Sequence, residues 1–231
     1  MEESNKPRNP DESPREFVVK DCALIAIATG SGAINLRELR DLLLTVTTDT
    51  LYFHFWGGLL QPRFEEREYN NDFAAWTWYS LHDATLAERL AVIDPTENED
   101  LEGLRQQILD IVEERLDENE TLSWVVASNP FEFIRSQIVI FDSGKRATTP
   151  EEMVAILPDL SASSIFYHFI DSRRRLPHHG DDFSHWLRAF DPGCRELCDA
   201  LSAIDPYFVS LTQLKAQLIK LFQVHFKEVT P

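Results

Sequence analysis

Residues 17–43, FVVKDCALIAIATGSGAINLRELRDLL, return at 131–157 as FEFIRSQIVIFDSGKRATTPEEMVAIL, a constant 114 positions later. Phe17 answers Phe131, Gly30 answers Gly144 and Leu39 answers Met153, and His54 and His168 keep the same offset. NDFAAW (71–76) then matches DDFSHW (181–186), and LAVIDP (90–95) matches LSAIDP (201–206). Order and spacing agree over about 100 residues, which marks a tandem duplication and constrains the fold more than any other feature. A copy of this length is marginal alone. The expectation is therefore two structurally similar repeats packed as a pseudo-symmetric pair that shares an interface.

Each copy reads mostly as helix. Asn35 and Thr149 each stand three residues before a glutamate, Glu38 and Glu152, and Pro150 follows Thr149 at a first helical position. Asp100 and Ser210 open LEGLRQQILDIVEERL and LTQLKAQLIKLFQVHF in the same way, and Asp72 and Asp182 stand where an N-cap belongs. Leu101, Leu104, Ile108 and Ile111 recur at helical spacing, leaving the many acids of 97–120 on a solvated face. Only CALIAIATG and SQIVIFDSG (22–30 and 136–144) are ambiguous. Phe131, Ile134, Ile138 and Phe141 favour helix, whereas the β-rich IVIF favours strand. The fold expected is mostly α, with α+β carrying one short strand per repeat as the alternative. The organisation expected is a disordered tail over 1–15, a first repeat over 16–117, a linker over 118–130 and a second repeat over 131–227.

Composition excludes several function classes. The formal net charge is −17, with 26 acids and 11 bases in residues 1–130 against 13 and 11 in 131–231. Such a surface argues against general binding to nucleic acid or an anionic membrane. No apolar run approaches the length of a membrane span, and the polar opening MEESNKPRNPDESPRE has no apolar signal core, so a cytoplasmic, soluble protein is expected. Cys22, Cys194 and Cys198 form no CxxC and read as buried thiols. GxGxxG, GxxxxGK[ST] and GxSxG are absent, and ATGSGA (28–33) lacks the lysine of a phosphate loop.

The ordered landmarks, TG at 29–30, NLREL at 35–39, YFHF at 52–55, NDFAAW, LAVIDP and their second copies, resemble a bacterial and archaeal family of two-copy domains of unknown function. The resemblance covers residues 16–226. It implies no established activity, fold or ligand, and it suggests a neighbourhood of sugar transferases.

The candidate site residues follow from the repeats. His54 and His168 each sit in an apolar run, LYFHFW and IFYHFI, and a buried imidazole needs a partner for its N–H. Asp72 and Asp182 supply one in each copy. One reading is a His–Asp clasp fixing one helix start against another. The other is a shared site between the repeats, in which His54, Asp72, His168 and Asp182 hold zinc, manganese or iron. Arg173, Arg174 and Arg175, with His178 and His179, form a basic cluster suited to a phosphate or carboxylate, or else pair with Asp171, Asp181 and Asp182. Trp76 and Trp186 occupy one repeat position and read as core, whereas Trp56 and Trp78 could line a pocket or stack on a sugar. The function expected is a helical binding or interaction protein with a ligand site between the repeats, formed by His54, His168, Arg173, Arg174, Arg175 and Trp56. Its partner would be a protein or a small anionic or sugar-like ligand, with no cofactor required. The alternative is a metal- or anion-dependent hydrolase or transferase-accessory enzyme in carbohydrate metabolism.

Overall fold

A computed structural model describes residues 16–60, 68–98, 100–176, 180–190 and 192–227. The tail expected over 1–15, Arg63, Arg67, His178 and His179 lie outside the described residues.

The ambiguous segments are strands, and they are long. β1 (Phe17–Ala33) and β2 (Phe131–Ala147) pair as a two-stranded antiparallel sheet. The helical spacing of Phe131, Ile134, Ile138 and Phe141 misleads because the buried faces have period two. Phe131 and Phe133 are buried together, as are Phe17 and Val19, whereas Phe141 is exposed. Gly30 and Gly144 do not end the strands. They lie inside them at φ +76° and +77°, the left-handed backbone that a glycine bulge adopts. Beside each glycine a hydroxyl bonds across the ladder, Thr29 Oγ1 to the Phe133 carbonyl and Ser143 Oγ to the Val19 carbonyl, both at 2.7 Å.

The rest is helical. After β1 come α1 (Leu36–Leu43), α2 (Thr48–Tyr52), α3 (Gly58–Leu60), α4 (Asp72–Trp76), α5 (Ala84–Ala91) and α6 (Leu101–Glu118). After β2 come α7 (Pro150–Ile156), α8 (Ala162–Ile165), α9 (Ser172–Arg175), α10 (Asp182–Leu187), α11 (Arg195–Ser202) and α12 (Leu211–Lys227). The capping signals act as expected at α1 and α7, where Asn35 Oδ1 accepts the Glu38 N–H and Thr149 Oγ1 accepts that of Glu152. Asp100 caps α6 through the Gly103 N–H, and Ser210 Oγ accepts the Gln213 N–H at α12. The expected caps at Asp72 and Asp182 are displaced by one residue. Asn71 and Asp181 accept the Ala74 and Ser184 amides, so each following aspartate is left in the first helical turn with its carboxylate available. On α6 the buried positions are Leu104, Ile108, Leu109 and Val112, a stripe of helical period that leaves Leu101 and Ile111 at its margin. No helix among the described residues is long and apolar enough to cross a membrane.

Two compact units form, and they take their strands crosswise. One is Ala23–Val139, which holds α1–α6 with residues 23–33 of β1 and residues 131–139 of β2. The other joins Met1–Cys22 to Ile140–Pro231, so α7–α12 hold the opening of β1, residues 17–22, together with residues 140–147 of β2. Each unit therefore combines the helices of one sequence repeat with strand residues from the opening of the other.

Candidate functional site

In the Ala23–Val139 unit, α2 runs into a π-helical turn, Phe53–Gly57, which carries His54. Turns of this kind are rare and concentrate at sites with a particular task. The His54 side chain is 3% exposed, so both ring nitrogens need partners within the protein. Nε2 accepts the backbone N–H of Ile134 on β2 at 3.1 Å. The ring's proton therefore sits on Nδ1, which donates to Asp72 Oδ2 at 3.0 Å. Aromatic rings close the remaining sides: Phe131 lies 4.7 Å from the imidazole and stacks on Phe73 at 4.9 Å. Trp76 meets the edge of Phe131 and donates its indole N–H to the Asn129 carbonyl at 2.8 Å.

The other unit repeats this set residue for residue. His168, in the π-helical turn Phe166–Asp171, accepts the Lys20 N–H of β1 at Nε2, 2.8 Å away. Its Nδ1 donates to Asp182 Oδ2 at 2.7 Å. Phe17 lies 4.7 Å from the ring, stacks on Phe183 and meets Trp186 at an angle. Lys20 and Ile134 are 114 positions apart, as are the two histidines, so the same contact is made twice between a strand amide and an imidazole. Trp186 is fully buried, and its indole nitrogen has no hydrogen-bond partner among the described residues.

Beyond the histidines the units differ. Asp171 is buried at 2% exposure and pairs with Arg174 at 2.9 Å and Arg175 at 2.8 Å, while its counterpart at 57 is a glycine. Arg175 also reaches Asp182 Oδ2 at 3.0 Å and the Tyr167 carbonyl at 2.9 Å, with its guanidinium 4.1 Å above the Tyr167 ring. One carboxylate oxygen thus receives both an imidazole N–H and a guanidinium. Arg173 donates to the Ile204 carbonyl and lies over Phe169. The arginines singled out in the sequence are therefore tied to Asp171, Asp182, backbone carbonyls and rings.

The remaining candidates are distributed as follows. His54 and Asp72 belong to one unit, and His168 and Asp182 to the other. Among the described residues no three His, Cys, Asp or Glu side chains converge as a metal-holding group. Trp56 is buried and Trp78 half-buried. Burial pushes the Cys22 thiol up to about 12, so it stays protonated, and it donates to the Ser163 carbonyl. Cys194 is also buried; Cys198 is half-buried, and its thiol is likewise raised, first by desolvation. The sequence did not point to the strand amides of Lys20 and Ile134, because a backbone donor leaves no trace in side-chain identity.

Comparison with known proteins adds a family and a fold. The chain belongs to a family of unknown function, DUF5752, whose model matches residues 14–223. It is similar to a solved structure described as the structure of OrfY from Thermoproteus tenax. The two are 27% identical with a TM-score of 0.79, over 93% of this chain and 97% of that one. No curated relative matches.

Proposed function

We propose that this chain is a binding or interaction protein, not an enzyme, and that its two His–Asp pairs are latches that hold an exchanged strand to each helical unit. One observation carries the reading: every ring nitrogen of His54 and His168 is already engaged, one with a carboxylate and one with a strand amide. A general base needs a nitrogen facing its substrate, and a metal ligand needs a lone pair that no N–H occupies. Neither is on offer. The paired contacts at the offset of 114 support an origin by tandem duplication in which each copy's opening strand was taken up by the other copy's helices. The partner we infer is a protein or a small anionic molecule.

Metal analysis and thermal unfolding of the purified chain and its His54→Ala and His168→Ala variants test this. Each variant should melt clearly lower, with a cost of about 2–4 kcal/mol for a buried ring that also leaves polar partners unmatched. Metal content should be substoichiometric and unaffected. Stoichiometric zinc, manganese or iron that vanishes in the double variant would overturn the proposal in favour of the metal-dependent reading.

A further inference from the structure

We infer that a cavity at the junction of α10 and α11 binds a small organic anion, a carboxylate or phosphate ester attached to an apolar or aromatic body. The cavity has a volume of about 570 Å³ and lies wholly within the unit that holds α7–α12. That is the size of a pocket for a small ligand. Leu187, Ala189 and Phe190 give it an apolar wall, and Arg188 and Arg195 line it from the two sides of the turn.

The arginines decide the chemistry. On a chain of net charge −17, a cation is normally taken up by a neighbouring acid, and Arg174 and Arg175 show this a short distance upstream, where both pair with Asp171. Arg188 and Arg195 are exposed, and among the described residues their guanidinium groups make neither an ion pair nor a hydrogen bond. Two forked donors on one concave, partly apolar surface match a carboxylate or phosphate, which each can grip in bidentate fashion. Asp199 is the acid that lines the cavity, and the Cys198 thiol beside it stays protonated and so adds no negative charge.

The other unit carries a carboxylate at the position equivalent to Cys194. α5 and α11 are both eight residues long and begin 111 positions apart, at Ala84 and Arg195. Asp83 precedes α5, accepts the Leu86 N–H at 3.1 Å and receives Arg115 at 2.8 Å and 3.2 Å. Cys194 stands at the equivalent place before α11 and makes no side-chain cap bond. The carboxylate is gone, and Trp78 and Ala84 of the first copy are replaced by Arg188 and Arg195. Where one unit has a carboxylate held by Arg115, the other has the Cys194 thiol at the cavity wall, flanked by two arginines that are unengaged among the described residues.

The inference rests on reading the chain as a binding protein, and the two can fail separately. Phenyl phosphate, benzoate and phenol are titrated into the full chain, with calorimetry for affinity and amide NMR shifts for location. Phenyl phosphate or benzoate should bind, shift amides within 187–199, and lose about tenfold or more in affinity in the Arg188→Gln/Arg195→Gln double variant. Because both side chains are exposed, the variant should keep the wild-type melting temperature. The stronger of the two anions names the head group. The inference is overturned if phenol binds as tightly as the anions, if the double variant binds like wild type, or if millimolar anion leaves 187–199 unshifted. Any of those outcomes leaves the latch reading intact, since that is judged by metal content and by the histidine variants.

Discussion

The unit of α1–α6 and the unit of α7–α12 grip a strand with the same groups, an imidazole, a first-turn aspartate and a phenylalanine, and then diverge within one turn. In the first, Gly57 follows His54 at the end of the π-helical turn, and an added Cβ there would come within 2.9 Å of the Phe53 ring. In the second, the same position is Asp171, buried and ion-paired, and Arg175 ties Asp171 and Asp182 together. The His–Asp grip is common to both units, whereas a buried carboxylate in the position of Asp171 is found in one and a glycine in the other. A feature kept in both is most simply explained by a need both units share, which is to hold a strand. A feature particular to one is where a separate task can be added, and the buried Asp171 and the α10–α11 cavity both fall in the unit of α7–α12.

The largest test of the shared part is the strand anchor itself. Phe131→Ala removes a ring that touches His54, Phe73 and Trp76, and Phe17→Ala removes one that touches His168, Phe183 and Trp186. Each should cost about 3–5 kcal/mol by denaturant unfolding. Hydrogen exchange sharpens the comparison, because the damage must appear crosswise. Phe17→Ala should loosen amides of α8 and α10, and Phe131→Ala those of α2 and α4. Loosening confined to the mutated residue's own sequence repeat would break the exchanged-strand arrangement.

Smaller, and restricted to one unit, is Arg175→Gln. It removes a guanidinium from Asp171 and from Asp182 while leaving Arg174 and His168 in place. A cost of about 1–3 kcal/mol is expected, as for a buried acceptor deprived of a charged donor. A double-mutant cycle with His168→Ala should show coupling through the shared Asp182 oxygen. Additive costs would mean that Asp182 does not link the two.

Much of this was legible in the sequence, and what was not has a physical cause. The offset of 114 and the caps at Asn35, Thr149, Asp100 and Ser210 are carried by side-chain identity, and so is the partnering of His54 with Asp72 and of His168 with Asp182. The strands were harder to read. Phe131, Ile134, Ile138 and Phe141 mimic a helical stripe, because in a two-stranded ribbon only part of one face is covered and exposed apolar residues such as Val139 and Ile140 blur the alternation. The exchange of strands was invisible for a different reason. A repeat in sequence fixes which residues are equivalent, but the same hydrogen bonds and ring contacts form whether a strand packs on its own copy's helices or on the other's. The pairing of Lys20 with His168 and of Ile134 with His54, with the ring contacts of Phe17 and Phe131 beside them, reveals the choice.

The smallest predicted effect compares the helix caps directly. α4 is capped by Asn71, whose amide also donates to the Leu90 carbonyl at 2.9 Å, and α10 by Asp181, which accepts the Ser184 amide and hydroxyl at 2.8 Å and 2.6 Å. Asp181 is 2% exposed, and burial pushes its carboxyl above the usual 3.8, only partly opposed by the Ser184 bonds and the charge of Arg173. A carboxyl raised in this way binds its proton more tightly folded than unfolded, so ionising it costs the folded state. That cost is absent below pH 3.8, grows as the pH rises above it, and is complete once the pH passes the folded value. Asn and Asp are about equally good caps, so Asp181→Asn keeps the cap while removing the ionisation. Its melting temperature at pH 7 should therefore exceed that of wild type by a few degrees, with the advantage shrinking as the pH falls towards 4. An advantage that persisted unchanged at pH 4 would locate the gain in packing. A loss at pH 7 would show that the Asp181 carboxylate stabilises its helix despite burial, and the two caps would then be less alike than their positions suggest.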